Sequence, residues 1–118
     1  LRAVLVDAAG TLIEPAQPVA AVYQAVARKH GQELSQDAIL DNYRRAYSRP
    51  YGDSPIRYVD DGRPFWRRVV AESVENDDPE LFEELYSYYG RKEAWRLLDG
   101  APEALGRLRG LGFQTCVV

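Results

Sequence analysis

The sequence has no methionine, a single cysteine and a single histidine among its 118 residues. A lone cysteine, Cys116, cannot close an internal disulfide, so a cystine-stapled scaffold is excluded. It sits in the apolar run "FQTCVV", which predicts a buried, unreactive thiol in a reducing compartment. Without methionine the chain does not start as a primary product does, so processing or trimming upstream is expected. The run ending at Val118 has no turn signal after it, so continuation is expected there too. No apolar stretch approaches the ~20 residues of a membrane helix, and no signal-peptide pattern opens the chain. An intracellular protein, cytoplasmic or organellar, is expected. Basic residues are scattered and the net charge is −3, so neither a nucleic-acid partner nor a membrane span is predicted.

Hydrophobic residues make up 46% and charged residues 28%, the balance of an ordinary globular domain long enough for a core. Residues 3–7 are continuously apolar up to Asp7, which suits a central parallel strand covered on both faces. Residues 8–15 read as a loop. A first helix is predicted from Pro18 to about His30, with Val19, Val22, Tyr23 and Val26 at helical spacing. Arg28, Lys29 and His30 crowd its last turn, where cations complement the helix dipole, and Gly31 follows as the C′ residue. Ser35 is placed to cap a second helix bearing Ile39, Leu40, Tyr43, Ala46 and Tyr47. Prolines and glycines between Ser48 and Pro64 predict a long loop. A third helix begins near Pro64, and Asp78 followed by Pro79 marks the start of a fourth that ends at Gly90. A fifth opens at Pro102 with Leu105, Leu108 and Leu111 on one side, and Phe113–Val118 reads as a second strand. One strand at each end predicts a parallel pair joined by a crossover, with a helical insertion inside it.

In doubly wound α/β folds the ligand lies beyond the carboxyl ends of the strands, where Asp7 stands. A carboxylate there can attack an electrophile or hold a hard cation. Gly10 permits a tight turn that brings amides near it, and Thr11 offers a hydroxyl to fix that turn.

"VLVDAAGTLIEP" resembles the first motif of the haloacid dehalogenase-like (HAD) hydrolases, and "LLDGAPEALGRLRGLGFQTCVV" is similar to the segment where their core resumes after an inserted helical cap. "PFWRRVV" and "YGRKEAWRLLDGA" extend the resemblance over almost the whole chain. It implies an α/β fold, mostly helical here: part of a Rossmann-like core at 1–14 and 97–118, and a four-helix cap at 15–96. It implies Asp7 as nucleophile, Mg²⁺ held by Asp7 and the Ala9 backbone carbonyl, Gly10 and Thr11 as the supporting turn, and phosphate-ester hydrolysis through an aspartyl-phosphate. Cap candidates for selecting a small phosphorylated or acidic substrate are Arg44, Arg57 and Tyr58.

The departure from the family pattern is Ala9. Phosphatases of the family carry an acid there, which protonates the leaving alcohol and then activates water. Alanine does neither, and loss of general acid–base catalysis lowers rate by roughly 10²–10⁴-fold. Haloacid dehalogenases place an aromatic residue there and use a cap arginine, for which Arg44, Arg45 and Arg57 are candidates. Phosphonoacetaldehyde hydrolases have alanine there with a cap lysine, but Lys29 and Lys92, the two lysines, fall at or beyond helix termini. A third alternative is a non-catalytic scaffold or complex subunit with a protein partner. The family's later motifs (a Ser or Thr, a Lys, an acidic pair) would fall after Val118. Among the remaining aromatics, Phe65, Trp66, Phe82, Tyr86 and Trp95 read as core, while Tyr88 and Tyr89 are placed to form an exposed partner patch.

Overall fold

The computed structural model describes residues 2–52 and 62–118. It divides into two compact units, Leu1–Ala16 with Arg91–Val118, and Gln17–Gly90. The first contains parallel strands β1 (Ala3–Val6) and β4 (Gln114–Val117), registered Ala3 to Gln114 through Val6 to Val117. Bonds from the Gln114 amide to the Arg2 carbonyl and from the Val118 amide to the Val6 carbonyl extend the ladder at each end, both at 2.9 Å. Helix α5 (Ala101–Gly110) precedes β4 and packs on it. Parallel strands with a helical return give the α/β class that the end-to-end strand pattern predicts.

Several sequence expectations change with the structure. Residues 8–15 are not wholly a loop: β2 (Ile13–Pro15) pairs antiparallel with β3 (Trp95–Leu97), and the ladder continues through the Leu98 amide to the Leu12 carbonyl at 2.9 Å. The central strand is not covered on both faces. β1 alternates exposed and half-buried positions, because among the described residues its sheet has two strands. Leu5, Val117 and the thiol-bearing Cys116 are therefore exposed, against the expectation of a buried thiol, and so is Leu111 past the end of α5.

The second unit is helical: α1 (Val19–Lys29), α2 (Gln36–Ser48), α3 (Arg63–Val74) and α4 (Pro79–Tyr89). Their apolar stripes converge. Val22, Tyr23 and Val26 of α1 meet Ile39, Val70, Val74, Leu81, Phe82 and Leu85 in one cluster, and Ala46, Phe65 and Val69 form a second. Fully burying a side chain of this size contributes about 1.5–3 kcal/mol each, so these stripes dominate the unit's stability. The termini follow local chemistry. The Ser35 hydroxyl accepts from the Ala38 amide at 3.2 Å, and the Asp78 carboxylate accepts from the Glu80 amide at 2.9 Å. α1 closes through Gly31 at φ 76°, with the Gln32 amide returning to the Ala27 carbonyl at 3.0 Å. Glu75 ends α3 in the left-handed region at φ 55°, a conformation that costs a residue with a Cβ. Tyr88 and Tyr89 do not form an exposed patch. Both are half-buried against the larger cluster, their rings edge to face at 5.0 Å. Among the described residues no helix is long and apolar enough to cross a membrane.

Candidate active site

Asp7 follows the last paired residue of β1 and is solvent-exposed. The chain then turns within four residues, and one carbonyl organises the turn. The Ala8 oxygen accepts from the amides of Thr11, Leu12 and Ile13 at 3.3, 2.8 and 3.0 Å. The Gly10 amide donates to the Ile13 carbonyl at 2.7 Å. Gly10 makes this possible at φ 83°, a left-handed conformation that a residue with a Cβ adopts at a cost of about 1–2 kcal/mol. Leu12, buried at 9% exposure, anchors the far side of the turn.

The Thr11 hydroxyl does something other than fix the turn's backbone. It donates to the Asp7 Oδ2 at 3.1 Å, across the open side of the turn. That bond orients the carboxylate and leaves Oδ1 without a protein donor among the described residues. A carboxylate held by one oxygen and free at the other is suited to nucleophilic attack or to ligating a cation. The neighbouring carbonyls divide the labour. That of Ala8 is occupied three times, whereas no backbone amide among the described residues donates to that of Ala9. Ala9 is itself exposed, so its methyl group adds no acid and blocks nothing.

The four predicted strand-end residues, Asp7, Ala9, Gly10 and Thr11, thus gather on one turn. Arg44 lies in the helical unit on α2, exposed, and pairs with Asp41 at 3.6 Å one turn away. Arg45 donates to Asn42 at 2.5 Å. Arg57 and Tyr58 lie outside the described residues. Lys29 is committed to Glu84, and Lys92 faces Glu93 at 4.0 Å in full solvent. The Thr11–Asp7 bond was not legible as such, since two residues four apart in a turn can point to either side; the only signal was a hydroxyl placed near the strand end.

For a divalent cation, Asp7 and the Ala9 carbonyl offer hard oxygens of the kind Mg²⁺ prefers, and Mg²⁺ takes one or two carboxylates while retaining waters. They fit as part of such a shell. Among the described residues no group of three His, Cys, Asp or Glu side chains comes together.

A parallel strand ending in an exposed, hydroxyl-oriented aspartate, followed by a glycine turn and a helical insertion, places a carboxylate where α/β proteins bind ligands. The sequence profile of the family described as "haloacid dehalogenase-like hydrolase" matches residues 1–118, and the chain belongs to that family. Relatives include "Haloacid dehalogenase-like hydrolase domain-containing protein 3" of Xenopus tropicalis, 27% identical over all of this chain and 68% of its own length. The human protein of that name is 26% identical over all of this chain and 51% of its own length. The Xenopus laevis protein is 28% identical over all of this chain and 52% of its own length. The chain thus spans about half the length of the human and Xenopus laevis relatives.

Proposed function

We propose that this chain carries the nucleophile strand and the substrate-selecting helical cap of a hydrolase that cleaves a phosphate ester through Asp7, slowly, because Ala9 stands where the proton shuttle would be. The observation that carries this reading is the Thr11-oriented carboxylate of Asp7, exposed at the carboxyl end of a parallel strand. The first unit takes the role of core. The second, Gln17–Gly90, takes the role of cap, within the 15–96 span read from the sequence.

The chemistry assigns each step to a group. The free oxygen of Asp7 attacks phosphorus, a new carboxyl–phosphorus bond forms, and the bond from phosphorus to the ester oxygen breaks with its electron pair on the departing alkoxide. Water then attacks phosphorus, the carboxyl–phosphorus bond breaks, and Asp7 returns as carboxylate with inorganic phosphate released. Thr11 keeps Oδ2 occupied, so the same Asp7 oxygen faces substrate in each turnover. Asp7 and the Ala9 carbonyl would hold Mg²⁺, which when bound offsets the repulsion between a carboxylate and a phosphate dianion. Both proton transfers, to the alkoxide and from the water, lack a titratable side chain at position 9.

That absence favours a second reading, a non-catalytic HAD-like subunit whose fold persists without turnover. The two are separated by assaying an aryl phosphate with Mg²⁺ using the natural protein at its natural length. Wild type should be slow, Asp7→Asn inactive, and Ala9→Asp faster by up to about 10²–10⁴-fold. Fast wild-type turnover that Ala9→Asp reduces would refute the account of the missing acid. No Asp7-dependent turnover in either form would favour the non-catalytic subunit.

A further inference from the structure

His30 closes α1 and is the chain's one histidine. Its ring is mostly buried, and its two nitrogens face the carboxylate that caps α4 and one within that helix: Nδ1 lies 2.9 Å from Asp78 Oδ2 and Nε2 lies 3.4 Å from Glu84 Oε2. Both partners titrate well below neutral pH, so near neutrality both accept and neither donates. A neutral imidazole has one N–H and would turn a lone pair toward one of the carboxylates; only the imidazolium donates to both. We propose that His30 is a pH-sensitive latch that ties the end of α1 to the start of α4 while doubly protonated, and that its deprotonation loosens the helical unit as pH rises through the neutral range.

The surroundings are consistent with this cation. Among the described residues Asp78 and Glu84 are the charged groups that act on His30, and both hold its pKa above the ordinary histidine value against partial burial. In return Asp78 is lowered, first by the Glu80 amide and then by His30, and Glu84 is lowered, first by Lys29 and then by His30. The other charges of these helix ends have partners of their own, Lys29 sharing Glu84 with His30. Lys29 pairs with Glu84, Arg28 with Glu33 at 3.3 Å, Arg67 of α3 with Asp77 at 3.1 Å, and Glu75 accepts from Asn42 at 3.1 Å. From α2, Arg44 pairs with Asp41 and Arg45 bonds Asn42, so no charge on that helix is bonded to His30 among the described residues.

The sign of the linkage follows. A raised histidine pKa contributes stability fully present below the unfolded value, about 6.5, and lost as pH climbs through the folded value. The lowered carboxylates contribute stability present above their unfolded values, about 4, and lost as pH falls through the folded ones. The latch is therefore complete between about pH 4.5 and 6.5 and opens on the alkaline side.

The His30 imidazole resonance, assigned by its absence in His30→Gln, reports the titration directly by NMR on the natural-length protein. The expected midpoint lies above about 6.5, with both ring nitrogens protonated below it. Asp78→Asn, which retains a capping oxygen for α4, and Glu84→Gln should each lower the midpoint. Amide exchange in the first turns of α4, corrected for intrinsic base catalysis, should rise about threefold or more from pH 6 to 8.5 in a Cys116→Ser background, and stay flat in His30→Gln. A midpoint at or below about 6.5, or one unmoved by either carboxylate variant, overturns the proposal; so does the same exchange profile in His30→Gln.

Discussion

Replacing Gly10 tests the site turn in isolation, because the structure removes the usual confounder. A Cβ built at Gly10 meets no atom within 4 Å, so neither clash nor packing enters the result. What remains is the left-handed backbone at φ 83°. For alanine that conformation costs about 1–2 kcal/mol, or roughly a 5–30-fold increase in the equilibrium for opening the turn. Asparagine tolerates the region and should cost less, while valine, branched at Cβ, should cost more. The Leu12 and Ile13 amides, both bonded to the Ala8 carbonyl, are the reporters. Native-state hydrogen exchange at these two amides should accelerate in the order Gly10→Asn, Gly10→Ala, Gly10→Val. Equal rates in wild type and Gly10→Ala, or a larger effect from asparagine than from alanine, would refute the assignment of the turn to glycine's backbone freedom.

Two further outcomes test the helical unit. Leu81 is 0% exposed in the larger cluster, so Leu81→Ala should destabilise by about 2–5 kcal/mol in urea titrations, with the slope unchanged. Glu75 holds φ 55° at the end of α3 and accepts from Asn42, an exposed bond of small net value. Glu75→Gly should therefore stabilise by up to about 1 kcal/mol, read as a higher urea midpoint; a lower midpoint would mean that the Asn42 bond outweighs the backbone term.

How much was legible depended on range. The helices of the second unit were readable because each carries its own signals. Ser35 and Asp78 cap the helices they precede, Gly31 terminates α1, and Val22, Tyr23, Val26, Phe65, Val69 and Val74 bury at the spacing the sequence displays. The β2–β3 pair escaped notice because three-residue strands have no periodicity, and Pro15 reads locally as a breaker. Its partners lie some eighty residues apart, and only the folded chain brings Ile13 beside Leu97. Burial was misread for the same reason. Cys116 and Leu111 are apolar by neighbourhood in sequence, but exposure depends on what packs above them. His30 was assigned to the dipole of its own helix, whereas its partners belong to α4, forty-eight and fifty-four positions away.

The sequence by itself determined the long helices and the two end strands, the helical insertion between them, and the side chains available at the strand end: one aspartate, one glycine turn, and an alanine two residues after the aspartate. These are local properties of covalent geometry, periodicity and side-chain identity. Tertiary structure alone decided that Thr11 orients Asp7, that the Ala8 carbonyl closes the turn while no backbone amide among the described residues reaches the Ala9 carbonyl, and that His30 reaches two carboxylates at and within α4. Hydrogen-bond partners are chosen by distance in space, and distance in space is set by the packing of the whole unit.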